Sequence, residues 1–187
     1  MRPAGWAILA SLAMAVAPGA RAAVSVFGGG MAEACSKATV AGDSDAASEG
    51  LCTNALDDEV LPPRDRAGTY INRGIMKLRR GDFEAAHADF DAGIKLDPTM
   101  GEAWVNRGAM WVGEKHYQDG LDDLDKGLAL GVTEPEKAYF NRALAYEGLD
   151  NEKAAYFDYL KAESLKPDWV LPKKELLRFH VSRAPAS

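Results

Sequence analysis

One block of residues returns through the second half of the chain with a period of 34, and this repetition constrains the fold more than any other feature. Asn72, Arg73, Gly74, Met76, Asp89, Asp91, Gly93 and Leu96 recur 34 residues later as Asn106, Arg107, Gly108, Met110, Asp123, Asp125, Gly127 and Leu130. A third copy follows at a shift of 35, with Tyr139, Asn141, Arg142, Ala143, Ala155, Asp158, Tyr159 and Pro167 in the matching places. A unit this short cannot bury its apolar face alone. The copies must stack into one continuous core, and the two ends of the stack need covers.

Each copy carries apolar residues at helical spacing on both sides of a break, at 80–82, 113–115 and 148–151. The pattern predicts two helices per copy. Asp82 and Asn151 stand where the N-caps of the second helices belong. Asp97-Pro98, Leu130-Gly131 and Lys166-Pro167 are stop signals. Thr99 with Glu102, and Thr133 with Glu136, have the spacing of capping boxes that would open the next copy.

These units resemble the tetratricopeptide repeat (TPR) family. The resemblance rests on large aromatics opening the first helix (Tyr70, Trp104, Tyr139) and on small residues where the helices cross (Gly74, Gly108, Ala143). It also rests on small residues opening the second helix (Ala86, Gly120, Ala155) and on large packing residues behind them (Phe90, Leu124, Tyr159). It covers residues 67–169, as repeats 67–100, 101–135 and 136–169. It implies an all-α fold: a right-handed superhelix of antiparallel helix pairs whose first helices line a concave face. The flanks read as caps. Residues 23–66 would hold a short helix around Met31–Ala38 and another over Ser48–Asp58, ended by Pro62-Pro63. Residues 170–187 would supply a closing helix that runs from Trp169 to Val181 and then a tail, with Leu171, Leu176, Leu177 and Phe179 available to cover the last repeat.

Residues 1–22 have the layout of a secretory signal peptide. Arg2 precedes an uncharged, mostly apolar run from Ala4 to Val16, Pro18-Gly19 breaks it, and Ala20-Arg21-Ala22 offers small residues for a cut after Ala22. The run is shorter than the roughly 20 residues of a spanning helix. The expected location is therefore the periplasm or the exterior of a bacterium, with no membrane insertion after cleavage. Removing Arg2 and Arg21 takes the net charge from −6 to −8. In an oxidising compartment Cys35 and Cys52, the only cysteines, are expected to pair and staple the N-terminal cap.

The acidic balance argues against nucleic acid as a partner. Two cysteines and three scattered histidines (His87, His116, His180) offer no spaced ligand set for a metal, and no cofactor is expected. Gly28-Gly29-Gly30 lacks the Lys-Ser or Lys-Thr ending of a phosphate loop and reads as a hinge. No nucleophile motif is present, so the chain reads as a non-enzymatic adaptor for a protein or peptide partner.

By the resemblance, Asn72, Asn106 and Asn141 face the concave groove, where an amide can both donate to and accept from an extended peptide. The same asparagines could instead satisfy the backbone of a neighbouring repeat. Ile71, Val105 and Phe140, then Ile75, Ala109 and Leu144, are expected as an apolar floor beside them. Relatives that clamp a terminal carboxylate do so with Lys, Asn and Arg. Lys137 and Asn106 match two of those positions, while Ile71, Ile75 and Asn141 stand at the others. Arg73, Arg107 and Arg142 precede Asp89, Asp123 and Asp158 by sixteen residues, which would let each pair meet across its hairpin. The alternatives are an enzyme or enzyme subunit with a site built by the caps, and a self-associating module of the cell envelope whose groove takes another copy.

Overall fold

The computed structural model describes residues 22–26 and 29–179. The expected signal segment 1–22, apart from Ala22, and the tail from His180 onward lie outside the described residues.

Each break in the apolar pattern becomes a tight turn between two antiparallel helices. The first hairpin is α3 (Pro63–Arg79) with α4 (Phe83–Leu96). The second is α5 (Gly101–Gly113) with α6 (Tyr117–Leu130), and the third is α7 (Pro135–Gly148) with α8 (Glu152–Leu165). Successive hairpins stack, α4 on α5 and α6 on α7, into an all-α solenoid. Asp82 and Asn151 cap as expected, accepting the backbone N–H of Ala85 at 3.3 Å and of Ala154 at 3.2 Å. The small residues sit at the crossings. A Cβ added to Gly108 would lie 2.9 Å from Leu124 and 3.0 Å from the Gly120 carbonyl, so any larger residue there would force α5 and α6 apart.

The two capping boxes do not form. Thr99 turns back to Asp97, donating its hydroxyl at 2.6 Å and its backbone N–H at 3.0 Å, and α5 starts one residue too late for Thr99 to cap it. Thr133 gives both donors to the Glu102 carboxylate, at 3.1 and 3.2 Å, and so ties the second repeat's end to its own start. Pro135 opens α7 instead, at a position whose N–H would have no helical partner in any case.

The N-terminal cap is α1 (Met31–Ala41) and α2 (Ala46–Asp58), both packed on α3. Cys35 and Cys52 form a disulfide, buried against Met76 of α3. Gly30 has no side chain to cap α1. Glu59 does so from beyond α2, accepting from Met31 N–H at 2.5 Å and Ala32 N–H at 3.3 Å, where its charge also meets the helix dipole. Arg66 of α3 closes the C-terminal end of α2, donating to the Leu56 carbonyl at 2.8 Å.

The C-terminal cover is shorter than the sequence predicts: α9 runs from Val170 to Leu176. Trp169, Leu171, Leu176 and Phe179 cover Phe140 and Tyr159, but Leu177 faces solvent, 83 % exposed, because the helix ends before its side chain can turn inward.

The disulfide closes a loop of 17 residues in sequence separation. By chain entropy this stabilises the cap by about 3 kcal/mol. Replacing Cys35 and Cys52 by Ser is expected to lower the urea midpoint followed by circular dichroism, and reducing agent should lower the wild type to match.

Candidate peptide-binding groove

The first helices of the three hairpins bring Asn72 (α3), Asn106 (α5) and Asn141 (α7) into equivalent places, all of them buried. A primary amide in an apolar setting must have its N–H groups and its carbonyl matched. For Asn72 and Asn106 the partners prove to be a piece of the chain's own backbone. Val24 donates its N–H to the Asn72 Oδ1 at 2.9 Å, and the Asn72 Nδ2 donates to the Val24 carbonyl at 2.8 Å. Asn106 treats Ala22 the same way, accepting its N–H at 3.3 Å and donating to its carbonyl at 2.9 Å. The second Nδ2 hydrogen of Asn106 goes to the Glu102 carbonyl one turn back in α5, at 2.8 Å. Asn141 is 3 % exposed.

Residues 22–26 run extended across α3 and α5, two residues of segment per repeat. Because an extended chain turns every second residue to the same side, both polar groups of one residue can meet one asparagine. The cap contributes a third grip: the Ser36 hydroxyl of α1 donates to the Val24 carbonyl at 2.9 Å and accepts from Val26 N–H at 3.4 Å. Ala22 and Val26 are buried, Ala23 and Val24 are half-buried, and Ser25 is exposed. Val24 lies over Gly68, one turn before Asn72, where an added Cβ would fall 2.8 Å from the Val24 methyl and 3.2 Å from that of Val26.

The expected apolar floor is only partly there. Ile71 and Val105 point into their own hairpins, against Gly93 and Gly127 of the second helices. Phe140 stacks on Tyr159 and Trp169 at 5.4 and 4.9 Å between ring centres. Each precedes its asparagine by one position, a rotation of about 100° around the helix, and this carries it off the groove face. Ile75 is fully buried in the same core cluster as Ile71 and Phe90. Leu144, the equivalent residue of α7, packs with the C-terminal cover. Lys137, one turn before Asn141, pairs with Glu134 at 2.7 Å.

Behind the groove runs a ladder of arginines. Each grips the aspartate sixteen residues on with two parallel bonds: Arg73 to Asp89 (2.9 and 2.7 Å), Arg107 to Asp123 (2.7 and 2.8 Å), Arg142 to Asp158 (2.7 and 2.9 Å). The third guanidinium nitrogen reaches back to the preceding unit, Arg107 to Asp91 and Arg142 to Asp125, both at 2.6 Å, and Arg73 to Thr53 of the cap at 3.2 Å. Each guanidinium also lies over the aromatic ring three residues before it, Tyr70, Trp104 or Tyr139, 5.1–5.4 Å from the ring centre. The bonds to Asp123 and Asp158 hold Arg107 and Arg142 above the usual arginine range, against burial. The sequence marks the hairpin pairs; the links between repeats through Asp91 and Asp125 are legible only once the stacking is known.

Among the described residues no three His, Cys, Asp or Glu side chains are grouped to hold a metal ion. His87 and His116 flank Trp111, with ring centres 4.8 and 5.3 Å away, and His180 lies outside the described residues.

Comparison with known proteins agrees with this architecture. The tetratricopeptide repeat model matches residues 136–168. Sperm-associated antigen 1 of Rattus norvegicus is 31 % identical over 104 residues, 51 % of this chain but only 12 % of that protein. Among solved structures, MamA from Desulfovibrio magneticus RS-1 superposes with a TM-score of 0.62 at 22 % identity, covering 79 % of this chain and 82 % of that one. The second TPR domain of human RPAP3, solved with the HSP70 peptide SGPTIEEVD, gives a TM-score of 0.57 at 22 % identity over 63 % and 97 % of the two chains. The fold is that of the tetratricopeptide-repeat solenoids, and residues 136–168 match that repeat in sequence. It spans a small fraction of the curated relatives it matches.

Arg107 joins α5, α6 and α4 at once. Arg107→Ala leaves Asp123 buried without its partner and is expected to cost about 2 kcal/mol, the scale of a hydrogen-bonded charge. Asp122→Ala, one residue from Asp123 on the same helix, serves as the control, and urea denaturation compares the two.

Proposed function

We propose that the chain is a non-enzymatic interaction module whose concave groove holds an extended segment of a protein partner by its backbone. The observation that carries this is the pairing of Asn72 with both polar groups of Val24 and of Asn106 with both polar groups of Ala22. A groove that grips one extended segment through backbone groups has the chemistry to grip another, because every residue except proline presents the same N–H and C=O. Partner choice then rests on the side chains that alternate between the wall and the solvent. The RPAP3 domain, similar in fold, was solved with a bound peptide, which supports a peptide-binding role.

A carboxylate clamp is the weaker reading. Lys137 is paired with Glu134, and Asn106 spends its amide on backbone. The proposal includes export: the apolar run and small residues before Ala23 fit a cleaved signal, and a disulfide-stapled cap suits an oxidising compartment.

Substituting Asn72, Asn106 and Asn141 together by Ala, with helix content unchanged by circular dichroism, should reduce affinity capture of partner proteins from an envelope extract at least tenfold. Undiminished capture would contradict the proposed groove.

A further inference from the structure

Residues 22–26 occupy the place that a partner's segment would take. We propose that this segment is a built-in occupant of the groove, and that a partner enters by displacing it. The partner segment is extended and carries small apolar side chains at every second position. This rests on the groove reading above and adds what the groove selects and what guards it.

The selection follows from the fit. Five backbone groups of the segment are held, the N–H and C=O of Ala22 and Val24 and the N–H of Val26. These bonds fix the register but carry no side-chain preference. The wall supplies the preference. Ala22 and Val26 are 1 % and 4 % exposed, and Val24 sits where even a methyl on Gly68 would collide with it. Charged or long side chains at positions 22 and 26 would be buried without partners, and at 24 they would press on Gly68. At Ser25, which faces solvent, any polar residue fits.

The guarding follows from the tether. Gly29 and Gly30 join the segment to α1 with φ of 81° and 91°, and α1 is held independently by Glu59 and the disulfide. Val26 also packs on Ala32 and Ala55 of the cap, but these two ties hold α1 without it, so the segment can leave the groove while the helix pair stays folded. Joined to α1 by only a few residues, the segment has an effective concentration on the order of millimolar. A free peptide of the same sequence, present at micromolar concentration, is then excluded until the tethered copy is weakened. Val24 and Val26 both lie beyond a cut after Ala22, so the guard survives signal cleavage, although the cut removes the Ala22 that Asn106 holds.

The test uses a fluorescein-labelled peptide with the sequence of residues 20–28 and the full chain, read by fluorescence anisotropy. Val24→Asp with Val26→Asp places two carboxylates where the wall is apolar and should expel the segment. We expect this variant to bind the peptide at least tenfold more tightly than wild type. Adding Asn72→Ala and Asn106→Ala should remove that binding, and a peptide with Asp at the two Val positions should not bind. Ser36→Ala, which loosens the segment without adding charge, should shift affinity in the same direction by a smaller factor and serves if the double Asp variant does not fold. Equal, asparagine-dependent binding to wild type and variants would overturn the guard while leaving the groove reading intact. No binding to any of them would overturn the inference outright, and partner capture by the triple asparagine variant would still decide the groove reading separately.

Discussion

A buried side-chain amide cannot be left unmatched, and at Asn72 and Asn106 this requirement joins the helical stack to a stretch of chain that no helix contains. Hairpins at a fixed period place the amides in a row, and the row spaces them so that alternate residues of an extended segment meet successive repeats. Had these positions been leucine, the concave face would have closed as one more apolar seam. With asparagine, it needs a backbone to complete it.

The row holds its spacing because the hairpins cannot slide. Each arginine next to a groove asparagine binds its own second helix with two bonds and the preceding unit with a third, while its face rests on an aromatic ring. This is a network of partly buried charges with fixed geometry, unlike an isolated surface pair. It explains how a net charge of −6 is compatible with close stacking: aspartates of α4, α6 and α8 are consumed in pairs between and within repeats. Groove and ladder therefore share a cause. Adjacent residues on one helix, Asn and Arg, point about 100° apart, one toward the concave face and one toward the neighbouring helix.

Much of this was legible in the residues. The period, the two helices per copy, the Arg–Asp pairs and the Cys35–Cys52 link all follow from spacing or from count. Ile71, Val105 and Phe140 were misplaced because apolar character alone does not tell a groove wall from a hairpin core; a rotation of one residue decides it. The capping boxes failed because Asp97 takes both donors of Thr99 and Glu102 takes both donors of Thr133. The segment at 22–26 was the hardest to see. It is too short to read as a strand, and its partners lie 48 and 84 residues away, so no local pattern points to them.

The central claim is that asparagine side chains hold an extended backbone in the concave face. Site-resolved amide hydrogen exchange tests it most directly. Val24 N–H is bonded to Asn72 and Ser25 is exposed, so the account predicts exchange at Val24 slower than at Ser25 by about 100-fold after correction for intrinsic rates, and a loss of that difference in Asn72→Ala. Equal, fast exchange at both residues in the wild type would contradict it.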